Sequence, residues 1–223
     1  MKFSNYSPEI NAKLEDYKNL VLSENEKMNL TAITDEKEFI EKHFYDSLLP
    51  TECVNFNNKS VLDIGSGAGF PGIPLAILYG NTKFTLLEPM QKRCNFLSDV
   101  INKLHLENVK VICKRAEDIT ENEREKYDIV VSRAVSSLPI LLEICTPYLK
   151  NGGSFISYKG LKYQDEIDMS KSALKSLNCH VAFVQMRKLP ITKEERFNII
   201  IKKDKNTPRK FPRNFSQIKK KPL

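Results

Sequence analysis

Gly65, Gly67, Gly69 and Gly72, with Asp63 just before them and Glu88 further along, are the residues of this chain best placed to do chemistry. They fall in the segment Val61 to Gly72, an apolar run leading into a glycine-rich turn and then Pro71 and Pro74, which suit a first helical turn. A strand, a glycine loop and a helix start in that order offer backbone N–H groups and a helix N-terminus to a nucleotide-like ligand. Glu88 closes the next apolar run, Phe84 to Leu87, where a carboxylate can accept hydrogen bonds from ribose hydroxyls.

Two ligand classes share this layout. Gly67, Gly69 and Gly72 satisfy the dinucleotide spacing G-x-G-x-x-G, which would make the protein an NAD(P)-dependent oxidoreductase. Asp63 argues otherwise. A carboxylate at the mouth of the loop repels a pyrophosphate but attracts the ammonium and sulfonium of S-adenosylmethionine. With Gly65 directly after the strand, Gly65, Gly67 and Gly69 would form the tight turn. The expected cofactor is S-adenosylmethionine.

The elements around the motif fit that expectation. Strands are predicted at 60–64, 83–88, 109–113, 128–132 and 153–158, with helices at 71–79, 91–104, 137–149 and 163–177. Such alternation gives a parallel sheet with right-handed crossovers. Two further strands, 180–188 and 197–202, are too close for a crossover and form an antiparallel hairpin. The predicted fold is α/β and Rossmann-like, a mostly parallel seven-stranded sheet ending in that hairpin. A helix capped by Ser7 and opened by Pro8, and a second over Asp35 to Leu49, make an N-terminal helical extension. The boundaries read 1–58 for the extension, 59–205 for the methyltransferase-like domain and 206–223 for a basic arm.

Ligands of such sheets lie beyond the carboxyl ends of the strands. After the third strand come Arg115, Ala116, Glu117 and Asp118, whose backbone or carboxylates could hold an adenine edge or merely cap a helix. After the fourth comes Arg133, an arginine with no evident packing purpose, able to hold cofactor, guanine or RNA phosphate. Lys159 follows the fifth. Together Arg133 and Lys159 would make a positive cleft suited to an anionic substrate.

The chain has 223 residues, 41% of them hydrophobic and 28% charged, within the range of ordinary globular domains. No apolar run approaches the roughly 20 residues of a membrane span. Met1 to Tyr6 lack the apolar stretch of a signal peptide, so the expected location is the cytoplasm. Five scattered cysteines and three histidines, with no Cys-x-x-Cys pair, argue against a metal site. The net charge of +7 is uneven: residues 202–223 hold nine Lys and Arg against Asp204 alone, leaving −1 for everything before them. Such an arm could contact nucleic-acid phosphates, with Phe211 and Phe215 stacking bases, or those aromatics could dock it onto the domain.

No Asn/Asp-Pro-Pro-aromatic motif for an exocyclic amine is present, and no Pro-Cys follows the fourth strand. Methylation of guanine N7 requires neither, because that nitrogen carries an in-plane lone pair and no proton. In these blocks the chain resembles the RsmG (formerly GidB) family of bacterial ribosomal RNA methyltransferases. The resemblance rests on Met28 to Ile33, His43 with Asp46 to Leu48, Val61 to Ile77, and Leu87-Glu88. It continues through Arg115 to Glu117, Ser132 to Val135, Lys159-Gly160 and Thr207-Pro208. It implies transfer of methyl from S-adenosylmethionine to N7 of one guanine near the decoding site of 16S rRNA, free or in the small ribosomal subunit. It also implies cofactor contacts at Gly65, Phe70, Ala116, Glu117 and Arg133, and places Asn29, His43 and Asp46 near the pocket rim. The expected enzyme is a monomer without metal. A non-catalytic RNA-binding module of the same fold is the remaining alternative.

Overall fold

The computed structural model describes residues 6–223, so the reading of Met1 to Asn5 lies outside the described residues. Ser7 accepts from the Ile10 N–H at 3.3 Å and starts α1 (Pro8–Met28), which ends on Asn29 at φ +49°. Its apolar stripe, Leu14, Tyr17 and Val21, is buried. The second predicted helix forms in three parts: α2 (Glu36–Phe39), a π-helical stretch Ile40–Tyr45, and α3 (Asp46–Leu48). A π turn inside an α-helix often marks a functional site, because it re-aims the side chains that follow.

The sheet runs β1 (Ser60–Ile64), β2 (Lys83–Leu87), β3 (Val109–Ile112), β4 (Tyr127–Arg133), β5 (Leu149–Lys159), β6 (Cys179–Lys188) and β7 (Glu195–Lys203). Its spatial order is β3-β2-β1-β4-β5-β7-β6, parallel from β3 through β5 and antiparallel at β7 and β6. The predicted seven-stranded Rossmann-like sheet and its terminal hairpin are both present. Crossover helices α4 (Gly72–Leu78), α5 (Gln91–Lys103) and α6 (Leu138–Cys145) cover its faces. The predicted helix 163–177 divides into α7 (Tyr163–Met169) and α8 (Lys171–Ser176) at Ser170. There the Ser170 hydroxyl donates to the Glu166 carbonyl at 2.6 Å, a back-bond that bends helices.

The central strands are buried on both faces, as parallel sheets require. Leu62, Ile64 and Val130 pack with α6, whereas Val61, Ile129 and Val131 point to the opposite face. The N-terminal helices share one core with the glycine loop: Tyr17, Phe39 and Phe44 pack with Ala68, Phe70, Ile73 and Leu97. Tyr17 also donates its hydroxyl to the Ala68 carbonyl at 2.7 Å.

The C-terminal segment differs from a free arm. It ends in a helix absent from the sequence reading, α9 (Phe215–Lys220), capped by Asn214. Phe211 and Ile218 are buried against α6, and Arg124 donates to the carbonyls of Phe211 and Thr207 at 2.8 and 3.3 Å. Docking, the second of the two roles open to its aromatics, is the one the fold uses. Among the described residues, no helix is long and apolar enough to cross a membrane.

Candidate functional site

The glycine loop leaves β1 at Gly65, and Gly65, Gly67 and Gly69 all have positive φ, at 74°, 59° and 106°. Gly65 has a second reason to lack a side chain: a Cβ there would stand 2.4 Å from Val135 Cγ2. Gly72 plays another part. It opens α4, donates its N–H to Asp63 Oδ2 at 3.0 Å, and leaves no room for a Cβ beside Leu86. The tight turn is therefore the predicted one, and Gly72 is a packing glycine.

Asp63 is not at the mouth of the loop. It lies between Leu62 and Ile64 on the strand, so its side chain projects to the other face, where it is wholly buried. Burial pushes its carboxyl up to about 7, against lowering by the Gly72 and Ser66 hydrogen bonds. It holds the loop from beneath. The electrostatic argument that placed it beside the cofactor is corrected accordingly.

Glu88 sits where the sequence placed it. Its carboxylate is buried and accepts from the N–H groups of Gly67 (2.9 Å) and Met90 (3.1 Å), bridging the loop to the end of β2. Gly65 of the loop and Leu87 to Met90 line a cleft of about 320 Å³ together with Arg115 to Glu117, Ala134, Val135 and Phe215. Ala116 and Glu117 begin a short 3-10 turn after β3, fixed by the Tyr148 hydroxyl on the Ala116 carbonyl at 2.8 Å. Phe215 shows that the C-terminal segment completes this cleft. Phe70 and Arg133, expected there from the resemblance, are not among the residues that line this cleft.

A second cleft of about 300 Å³ is lined by Asp46, Arg133, Ala134, Tyr158, Lys159, Gly160 and Arg196, and it shares Ala134 with the first. Arg133 is tied to three acceptors, which corrects the view that it has no packing purpose. It donates to the Lys42 carbonyl at 3.0 Å, Asp46 Oδ2 at 2.9 Å and His43 Nδ1 at 3.3 Å, with its guanidinium over the Phe70 ring. Phe70 in turn stacks on His43 with centroids 4.4 Å apart. Arginine only donates, so His43 Nδ1 accepts and its Nε2–H is left to donate to Thr31 Oγ1 at 2.8 Å. Burial, then the nearby Arg133 charge, lower the His43 pKa to about 3, so the ring is neutral.

Burial pushes the Asp46 carboxyl up, opposed by Arg133 and Arg196, and its Oδ1 has no hydrogen-bond partner. Lys159 donates to the Ser136 carbonyl at 2.8 Å and pairs with Glu166 at 2.7 Å. The positive cleft thus exists, but its cations are held by carboxylates rather than left free. Asn29 is exposed at the end of α1 and lines neither cleft.

Arg196 was missed. It reaches the second cleft because β7 runs antiparallel to β5 with Phe197 opposite Lys159, a register that no local pattern reveals. There it lies 3.6 Å from Asp46 Oδ1 and pairs with Glu194 at 2.8 Å.

Residues 10–195 match the GidB family, described as rRNA small subunit methyltransferase G. The chain belongs to that family. The ribosomal RNA small subunit methyltransferase G of Acetivibrio thermocellus is 43% identical over 93% of this chain and 86% of its own length. That of Fusobacterium nucleatum is 46% identical over 93% and 89%. Among solved structures, a SAM-dependent methyltransferase from Aquifex aeolicus superposes with a TM-score of 0.59 at 18% identity, covering 81% of this chain and 97% of that one. M. jannaschii TYW2, crystallised with AdoMet, gives 0.57 at 20% identity over 76% of each chain. These two establish the fold alone.

As a member of the methyltransferase G family the protein is an S-adenosylmethionine-dependent methyltransferase, and the oxidoreductase reading of Gly67, Gly69 and Gly72 is set aside. The first cleft suits that cofactor. A Cβ at Gly67 would meet only the Gly65 carbonyl, at 3.9 Å, so the loop surface is bare for a ligand. Glu88 presents a carboxylate that could accept from ribose hydroxyls, and Leu87, Pro89 and Met90 line the cleft with apolar surface.

Proposed function

We propose that the protein methylates N7 of a single guanine in 16S rRNA, near the decoding site, acting as a cytoplasmic monomer on the RNA or the small subunit. The observation that supports this reading is the second cleft, where His43 is hydrogen-bonded and Asp46 is ion-paired between Arg133 and Arg196, its Oδ1 accepting no hydrogen bond. His43 is neutral with both nitrogens bonded, Asp46 is paired with Arg133, and Tyr158 donates to the Ser47 carbonyl at 2.8 Å. A target that must lose a proton would need a base there; guanine N7 does not.

Bound S-adenosylmethionine would supply an electrophilic methyl: the N7–C bond would form as the S–C bond breaks, S-adenosylhomocysteine would leave as a neutral thioether, and the positive charge would pass to the purine with no proton moved. What this chain contributes is alignment and electrostatics. Glu88 and the Ala116–Glu117 turn hold the cofactor on one side of Ala134. The second cleft, with Arg133, Lys159 and Arg196 already paired to Asp46, Glu166 and Glu194, borders the side from which the RNA would approach.

Mapping N7-methylguanine in ribosomal RNA with and without the protein tests this directly. One site in the small-subunit RNA should lose its methyl group when the protein is absent and regain it on addition of protein and S-adenosylmethionine. An unchanged map overturns the assignment. Cofactor binding without any methylation would instead indicate a non-catalytic RNA-binding module.

A further inference from the structure

Two thiols meet at the ends of β2 and β3, against residues of the first cleft. β3 ends at Ile112, whose carbonyl accepts from the Glu88 N–H at 3.2 Å, so Cys113 is the first residue past that strand. Its Sγ lies 4.0 Å from the Pro89 carbonyl oxygen. Cys94, in the first turn of α5, donates its thiol to the adjacent Glu88 carbonyl at 3.0 Å. The two side chains are also hydrogen-bonded to each other. Cys94 is buried and Cys113 is exposed. Of the other cysteines, Cys145 and Cys179 are buried, and exposed Cys53 lines a different cleft, with Lys59 and Gly152. The carbonyls that the pair contacts belong to Glu88 and Pro89, which line the first cleft. Cys113 leads through Lys114 to Arg115, Ala116 and Glu117, which line it too.

We infer that Cys94 and Cys113 are a redox-active pair that a hydroperoxide converts to a disulfide, and that the linked protein binds S-adenosylmethionine weakly. Exposed Cys113 is the point of entry, because oxidation follows access and thiolate character. Burial, then the hydrogen bond with Cys113, push the Cys94 thiol up to about 12, so it does not react on its own. The Cys113 sulfur attacks the terminal oxygen of the hydroperoxide and the O–O bond breaks. The departing alkoxide takes the Cys113 proton and leaves as an alcohol, or as water from hydrogen peroxide, and Cys113 becomes a sulfenic acid. The Cys94 sulfur then attacks the Cys113 sulfur. The S–S bond forms, the S–O bond breaks, and the hydroxide leaves with the Cys94 proton as water. Two electrons have passed from the thiols to the peroxide. Cys94 can then no longer donate to the Glu88 carbonyl, and an S–S bond of about 2 Å draws residue 113 towards α5. The segment it pulls is anchored further on, where the Tyr148 hydroxyl holds the Ala116 carbonyl, so the shift falls on residues 88–90 and Arg115. This inference rests on the placement of S-adenosylmethionine in the first cleft and adds a control on that site.

The test uses the full chain, first reduced and then treated with hydrogen peroxide. Peptide mapping should show Cys94 linked to Cys113, and calorimetric titration should show S-adenosylmethionine affinity lowered at least tenfold. Dithiothreitol should restore it. That reversal separates the disulfide from oxidation of exposed Met90, whose sulfoxide needs its own reductase. Cys113→Ser should bind the cofactor as reduced wild type does and keep that affinity after peroxide. Cys53→Ser should lose affinity as wild type does, since a lone exposed thiol is not the cause. Absence of the linkage, or unchanged affinity in the linked protein, overturns the inference. So does a loss of affinity in peroxide-treated Cys113→Ser that dithiothreitol reverses. If Glu88→Gln binds S-adenosylmethionine as tightly as wild type, the placement of the cofactor fails first and takes the inference with it.

Discussion

The Arg213 guanidinium grips the Glu143 carboxylate with two hydrogen bonds, Nε to Oε1 at 2.8 Å and Nη2 to Oε2 at 2.6 Å, and its backbone N–H adds a third at 2.9 Å. Glu143 is wholly buried on α6, so this pair is what lets a carboxylate sit in that helix and what ties the C-terminal segment to the domain. Arg213→Ala should cost about 3 kcal/mol, because it leaves a buried charge unpaired. Phe215 lines the first cleft, the proposed cofactor site, so S-adenosylmethionine affinity should fall as well. Melting curves and calorimetric titration check both. Truncation before Thr207 should be worse, since it also exposes the sites of Phe211 and Ile218. It is therefore unsuited to isolating RNA contacts.

The charges of that segment can be tested singly. Lys219, Lys220 and Lys221 are exposed, whereas Arg213 is held by Glu143 and Arg209 pairs with Glu121 at 3.1 Å. If the lysines meet phosphates, each Lys→Ala change should lower the salt slope of RNA binding by about 0.7 to 0.9. Cofactor affinity should be unaltered. An unmoved slope in the triple variant would exclude this face from the RNA interface.

Glu88→Gln should weaken S-adenosylmethionine binding by about tenfold, roughly 1.4 kcal/mol, within the range for a hydrogen bond to a charged group. The amide can still accept from one of the Gly67 and Met90 N–H groups, so the fold should survive. Calorimetric titration with cofactor decides it: unchanged affinity would remove Glu88 from the binding site.

Arg133→Lys should fail to substitute. A single ammonium cannot reach the Lys42 carbonyl, Asp46 and His43 together, nor lie flat over Phe70. Methylation should drop at least tenfold, and Arg133→Ala should in addition destabilise by about 3 kcal/mol by orphaning buried Asp46. Single-turnover methylation and thermal unfolding separate the two effects.

Two buried groups give opposite pH dependences. The Asp63 carboxyl is raised from 3.8 to about 7 by burial, so between those values the native state keeps a proton the unfolded chain has released. Stability from this group therefore falls as pH rises through that window. His43 is lowered from 6.5 to about 3, so below 6.5 the unfolded chain takes a proton that the native state refuses, and stability falls as pH drops. Denaturation of Asp63→Asn should show a steeper loss of stability on acidification than wild type. His43→Gln should show stability still declining as pH rises from about 4 to about 7. Parallel curves for all three proteins would refute both assignments.

The alternation of apolar runs and amphipathic stretches was enough to predict seven strands and their crossovers, because strand and helix periodicities are local properties of the chain. The turn at Gly65, Gly67 and Gly69, Glu88 at a strand end, and the segment Ala116–Glu117 were legible for the same reason: each lies within a few residues of a strand that announces itself. Asp63 was half legible. Its position on β1 was evident, but its direction depended on which face Leu62 and Ile64 took. Arg133 with His43 and Asp46, Arg196 beside Lys159, and Arg213 on Glu143 were decided only by the tertiary structure. These partners stand 70 to 90 residues apart, or across a strand register, and charge counts do not say which carboxylate meets which guanidinium. The basic C-terminal segment shows the limit most clearly, since its composition is that of a solvated arm. It is docked because Phe211, Ile218 and one arginine find an apolar groove and a buried acid that folding of the rest creates.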